Sequence, residues 1–268
     1  MLYHLLYPLR DVFFGFNVFR YITFRAAGAS VTAFLLCLWV GPTLFRKVRL
    51  LGISENGVRE YAPALDLSRK QKQGTPTMGG LVILLALLIS TLLWADPTNV
   101  FILLALSVTV WLGLVGFSDD YLKFVMHSSR GLAASTKFFG QIIGSLGLAL
   151  FLYFSSNWSK TLTVPFFKNL IFDLGVLYIP FVVLVIVGSS NAVNITDGMD
   201  GLAIGCVILV AVTYSILSYI TGHVQFSSYL HIFYAPGSGE LAIFCGADRK
   251  STRLNSSHNV PSRMPSSA

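Results

Sequence analysis

Charge is what this 268-residue sequence lacks. Asp, Glu, Lys and Arg make up 12% of it, while 54% is apolar. Soluble domains carry about twice that share of charge and need it to cover their surface. A soluble single-domain enzyme, a disordered chain and a coiled coil are therefore excluded. With a mean hydropathy of +0.69, the composition predicts a polytopic membrane protein. Cysteine is nearly absent too. Cys37, Cys206 and Cys245 lie in apolar stretches without metal-ligand spacing and read as packing residues. No cleavable signal peptide is expected, because Arg10, Asp11 and Arg20 interrupt the region where a clean apolar core belongs. The net charge of +7 is not a nucleic-acid-binding surplus. Four of the 19 Lys and Arg, but one of the 12 Asp and Glu, fall in the last 21 residues, leaving 15 cations against 11 anions. No nucleic-acid partner is expected.

What the sequence has in abundance is long apolar runs. Six occupy about residues 26–45, 78–95, 99–117, 138–154, 174–190 and 201–220. Each is close to the ~20 residues that cross ~30 Å of hydrocarbon as a helix. A seventh begins near Glu240 and stops at Ala247, too short to span. The predicted fold is all-α: a polytopic integral membrane protein with six complete transmembrane helices and the start of a seventh. Residues 1–25 are rich in Phe and Tyr and read as a periplasmic or interfacial segment, with rings at headgroup level. Residues 26–247 form the transmembrane domain. Residues 248–268 hold six Ser and four apolar residues after an abrupt break in mid-run, and read as a non-native tail.

The cations between runs set the orientation. The 46–77 loop holds seven Lys and Arg and the 118–137 loop three; 155–173 holds two, and 96–98 and 221–239 none. The positive-inside rule places the first two in the cytoplasm. Parity puts the 191–200 segment with them and the N-terminus outside, against its own Arg10, Arg20 and Arg25. Three polar segments distant in sequence then share one membrane face.

Each carries chemistry. Asp119-Asp120 closes an otherwise uncharged run. Ionisable groups at membrane depth are costly and mark function, and adjacent carboxylates invite a divalent cation such as Mg²⁺, which takes one or two carboxylates plus phosphate oxygens. The plain alternative is a solvated helix end. In Asn191–Gly201, two asparagines and two aspartates occur without Lys or Arg; Asp197-Gly198 marks a turn, Asp200 is a candidate N-cap, and a simple polar hairpin is the alternative. In Lys70–Gly80, Thr75-Pro76 is an N-cap and N1 pair, so that a helix N-terminus beside Lys70 offers a phosphate site. An ordinary cap with positive-inside lysines is the alternative there. Together the three suit Mg²⁺-dependent chemistry on a phosphate ester at the cytoplasmic surface.

The stretches GFNVFRYITFRA (15–26), GTPTMGG (74–80), GFSDDYLK (116–123) and NAVNITDGMDGLA (191–203), and more weakly FSSYLHIFY (226–234), make the chain resemble the phospho-N-acetylmuramoyl-pentapeptide transferases, within the polyprenyl-phosphate hexose-1-phosphate transferase superfamily. The resemblance covers about residues 10–247. It implies transfer of phospho-MurNAc-pentapeptide from UDP-MurNAc-pentapeptide to undecaprenyl phosphate, giving lipid I and UMP. It also implies Mg²⁺ as cofactor and a multi-pass protein of the bacterial inner membrane whose active face is cytoplasmic. By position, Asp119 and Asp120 match the family's aspartate pair, as catalytic residues and metal ligands. Lys70 and Thr75 match residues near the nucleotide end; Asn194, Asp197, Gly198, Met199 and Asp200 match the loop around the uridine. Met199 stands where the family has Leu. The family has ten membrane helices, a third essential aspartate and a His-rich loop, none of which these 268 residues complete, and His258 is no substitute. The chain as written is therefore expected to be inactive. The nearest rival reading is a transferase of GlcNAc-1-phosphate; a transporter or flippase would require repeats and interrupted helices. Whether the chain works as a homodimer is left open.

Overall fold

A computed structural model of the protein describes residues 1–50, 79–125, 132–155, 159–163, 171–196 and 202–248. Its helices are α1 (Leu2–Leu6), α2 (Ile22–Leu50), α3 (Gly79–Trp94), α4 (Val100–Val125), α5 (Ala134–Phe154), α6 (Tyr178–Thr196), α7 (Leu202–Thr221) and α8 (Val224–Leu230), followed by α9 (241–248). Five stretches, Ile22–Thr43, Val100–Leu122, Ala134–Phe154, Gly175–Thr196 and Leu202–Thr221, are long and apolar enough to cross a membrane, and Gly80–Trp94 is a shorter apolar helix. The all-α polytopic architecture is thus as expected, and α9 is the start of the seventh run. The outward faces carry large apolar side chains, Trp39 at 81% exposure, Leu184 at 69% and Leu209 at 69%. Surfaces of that kind are stable against lipid rather than water.

Two of the helices that run further than their apolar runs carry candidate site residues. The 99–117 run belongs to a helix that continues to Val125, and the 174–190 run to one that continues to Thr196. Asp119-Asp120 is therefore inside a helix rather than at its end. Asn191 and Asn194 are helical rather than in a hairpin. Backbone hydrogen bonds do not require apolar side chains, so the ladder persists where hydropathy stops. The expected loop 155–173 contains a small antiparallel ribbon, β1 (Thr161–Thr163) against β2 (Ile171–Asp173), with Leu162 opposite Phe172.

Sequence signals explain the ends. Asp96-Pro97 follows α3, and a residue preceding proline is pushed out of the helical region. Asn99 caps α4, its Oδ1 accepting the Phe101 N–H at 2.9 Å. Sequential helices pack as neighbours: α2 on α3, α4 on α5, and α5 on α6. The chain then returns so that α9 enters between the early spans. One buried cluster joins Ala29 and Ala33 of α2, Leu87 of α3, Ile102 and Leu106 of α4, and Ile243 and Ala247 of α9. The α2–α9 contact is built from small residues, and Ser30 Oγ donates to Gly246 O at 2.8 Å. A Cβ at Gly246 would lie 3.0 Å from Ser30 Oγ and 3.1 Å from Ala26 O. Close backbone approach of this kind is how helices associate in lipid.

One end of the bundle carries a polar lock. Arg25, 3% exposed, forms a two-pronged pair with Glu240: Nη2 to Oε1 at 2.5 Å and Nη1 to Oε2 at 3.0 Å. Glu240 Oε2 also accepts the Asp96 N–H at 3.0 Å. His4 Nε2 meets Asp96 Oδ1 at 2.9 Å, and the Tyr3 ring lies over the Arg25 guanidinium at 4.8 Å. One of the three arginines that run against the positive-inside count, Arg25, is thus neutralised by a carboxylate 215 residues away.

Candidate functional site

The opposite end gathers the predicted chemistry. Asp119 is in the last two turns of α4, and α5 begins beside it. Its carboxylate is held from two directions. Oδ1 accepts the Leu132 N–H at 2.9 Å, and Oδ2 lies 3.9 Å from Lys137 Nζ. The Asp119 side chain is 13% exposed and that of Lys137 26%. An ion pair at this depth is only partly screened by water, and each partner offsets the other's desolvation. Asp120 is half-buried. As the next residue it points about 100° further round the helix. Phe117 and Tyr121, one turn apart, stack at 6.1 Å on the exposed side, the place of an interfacial aromatic pair. The aspartates therefore sit at the membrane edge.

Helix α5 holds this arrangement in place on both sides. Toward α4, Trp111 Nε1 donates to Gly140 O at 2.9 Å. Toward α6, buried Gln141 meets Ser190 and Asn191. Asn194 follows one turn later on α6 and is exposed. The structure thus places Asp119, Asp120 and Asn194 at one end of three consecutive helices. Lys70, Thr75, Asp197, Gly198, Met199 and Asp200 lie outside the described residues. Among the described residues, no group of three or more His, Cys, Asp or Glu is arranged to hold a metal ion. Asp119 and Asp120 supply two carboxylates.

Sequence reasoning counted Lys137 only as a positive-inside cation and missed its approach to Asp119. The signal was present: a lysine in the first turn of an apolar helix, across a short connection from an aspartate pair. It missed Gln141 too, a polar residue one turn further along the same helix.

Comparison with known proteins supplies the family. The glycosyl transferase family 4 profile matches residues 100–244, which include the Asp119–Lys137 pair. Phospho-N-acetylmuramoyl-pentapeptide-transferase signature 1 matches residues 72–84. The phospho-N-acetylmuramoyl-pentapeptide-transferase of Citrifermentans bemidjiense is 50% identical over 247 residues, 92% of this chain and 68% of that protein. The chain belongs to this transferase family. The same-named protein of Desulfotalea psychrophila is 50% identical over 246 residues, covering 92% of this chain and 67% of its own length. That of Thermodesulfovibrio yellowstonii is 43% identical over 249 residues, with 92% and 68% covered. Family membership and the apolar helices together make the chain a multi-pass membrane enzyme of the phospho-sugar transferase class.

Proposed function

We propose that the inner-face residues serve transfer of phospho-MurNAc-pentapeptide from UDP-MurNAc-pentapeptide to undecaprenyl phosphate, yielding lipid I and UMP, at the cytoplasmic face of a bacterial inner membrane. The observation that carries this reading is the half-buried Asp119-Asp120 pair at the membrane edge with Lys137 beside it, in a chain half identical to proteins named for that transfer. A lipid phosphate is held at headgroup level, where the aspartates sit, while a nucleotide arrives from water. Lys137 is a cation for phosphate oxygens, and Asn194, exposed at the end of α6, offers a donor and an acceptor to the nucleotide half.

Mg²⁺ fits the donor set. Asp119 and Asp120 are hard oxygen ligands of the number that Mg²⁺ takes from protein when phosphates supply the rest, and these two would hold it. When bound, the ion supplies charge stabilisation to the transferring phosphoryl group.

The test is made on the chain purified into lipid nanodiscs. Titration calorimetry should show Mg²⁺-dependent binding of UDP-MurNAc-pentapeptide in preference to UDP-GlcNAc. Binding of neither sugar nucleotide sinks the functional assignment, and preference for UDP-GlcNAc transfers it to the sister activity. Lipid I formed from added undecaprenyl phosphate would support the proposed transfer directly.

A further inference from the structure

Buried amides are rare among spanning helices, because an unsatisfied polar group in hydrocarbon is costly. Gln141 on α5 is 3% exposed, and both ends of its amide are used by α6. Its Nε2 donates to Ser190 Oγ at 3.1 Å, and its Oε1 accepts from Asn191 Nδ2 at 2.8 Å. Asn191 Nδ2 also donates to Val187 O at 2.9 Å, which fixes the asparagine rotamer against its own helix. The clamp has a direction: it defines the axial register of α5 against α6, because a slip of either helix separates the amide from both partners.

Its level in the bundle matters. Gln141 is four residues beyond Lys137, about 6 Å along α5. Asn191 is three residues before Asn194, about 4.5 Å along α6. Helix α5 runs away from the inner face and α6 runs towards it. The clamp therefore lies about one turn beneath both Lys137, with its partner Asp119, and Asn194. In the row Lys137, Gln141, Ser145 and Ala149, the last three are buried at 3%, 2% and 0%. That row is the seam along which α5 meets its neighbour.

We propose that Gln141 is a positioning residue that holds the carboxylate–lysine half of the site in register with the nucleotide half carried by α6. The proposal rests on the transferase reading for what the two halves bind, but not for the register itself. Small errors in such a register are costly, since displacement of about 1 Å degrades a preorganised site.

The experiment reads the register directly. Cys37, Cys206 and Cys245 are replaced by alanine. Spin labels are placed at Tyr121, 50% exposed on α4, and Ile195, 80% exposed on α6. Pulsed electron–electron resonance in nanodiscs should give one narrow distance for the parent chain. Gln141→Met keeps volume and suits an apolar seam, so folding is retained. It is expected to broaden the distribution and shift its mean by about 1.5 Å or more, one residue of helix rise. It should also weaken UDP-MurNAc-pentapeptide binding about fivefold, the scale of one hydrogen bond. Gln141→Glu, whose protonated carboxyl keeps one donor and one acceptor, should restore both readouts. An unchanged distance in the Met variant overturns the proposal, leaving Gln141 as a space-filler. A shifted distance with unchanged affinity overturns its link to the site. If the parent chain binds no sugar nucleotide while the distance still shifts on Gln141→Met, the transferase reading has failed and the clamp stands.

Discussion

Asp119 is shared between a backbone N–H and a lysine, and that sharing sets what Lys137 does. A cation 3.9 Å from a carboxylate oxygen opposes a second cation at the same oxygen and attracts phosphate. Removing it should move two affinities in opposite directions. Lys137→Met is expected to tighten Mg²⁺ binding to the aspartate pair about fivefold and to weaken UDP-MurNAc-pentapeptide binding about fivefold, after about 1 kcal/mol of screened interaction is lost. Calorimetry with Mg²⁺ alone and then with the nucleotide sugar separates the two, and parallel movement of both affinities would contradict the role. At the other end, Asp96 has a different task. Burial raises its pKa, but hydrogen bonds from His4 and Thr98, and the His4 charge, outweigh burial and bring it to about 2. Its folded-state pKa is below the unfolded value near 4. The stabilisation, about 1–2 kcal/mol for this partly exposed group, is therefore complete above about pH 4 and lost as pH falls towards 2. The apparent Tm in detergent should drop across that window, and Asp96→Asn should flatten the drop.

Between elements, the Arg25–Glu240 pair is what fastens the first span to the last described helix. Arg25 Nε is buried and has no hydrogen-bond partner among the described residues, so the guanidinium depends on Glu240. Glu240→Gln should cost about 3–5 kcal/mol by stranding the buried cation. The joint replacement Arg25→Met with Glu240→Leu should recover part of that loss, because an apolar pair removes the desolvation cost on both sides while the Asp96 N–H loses its acceptor. Thermal unfolding of the two variants in the same detergent decides it, and equal damage from both would show that packing rather than charge joins α2 to α9. This pair also marks the limit of what the sequence discloses about elements. The spans themselves were legible, since about 20 apolar residues have few other fates. The ends of α4 and α6 were not, because Asp119-Asp120 and Asn191–Asn194 end a hydropathy run without ending a helix. The partner of Arg25 was not legible either: a contact across 215 residues leaves no local pattern. For the same reason the sequence showed the aspartate pair as chemistry, and the fold was needed to bring Lys137 and Gln141 to it.

For the whole molecule, the decisive question is which end faces the cytoplasm. The helices alternate in direction, so one assignment fixes all of them. The end with Asp119, Lys137 and Asn194 belongs with the loops that hold seven and three cations, and the end with Asp96 and Glu240 with the loops that hold none. Arg10, Arg20 and Arg25 argue the other way on number alone. Arg25 drops out of that count because it is paired and buried, which leaves Arg10 and Arg20. What remains at the N-terminal end is weaker than the long loop that opposes it. A membrane-impermeant thiol reagent reads the outcome in intact cells whose outer barrier has been opened. With Cys37, Cys206 and Cys245 replaced, Thr98→Cys should label and Ser128→Cys should label only after the inner membrane is breached. The reverse pattern would place the aspartates outside, away from any cytoplasmic nucleotide, and the proposed reaction would fail with the orientation.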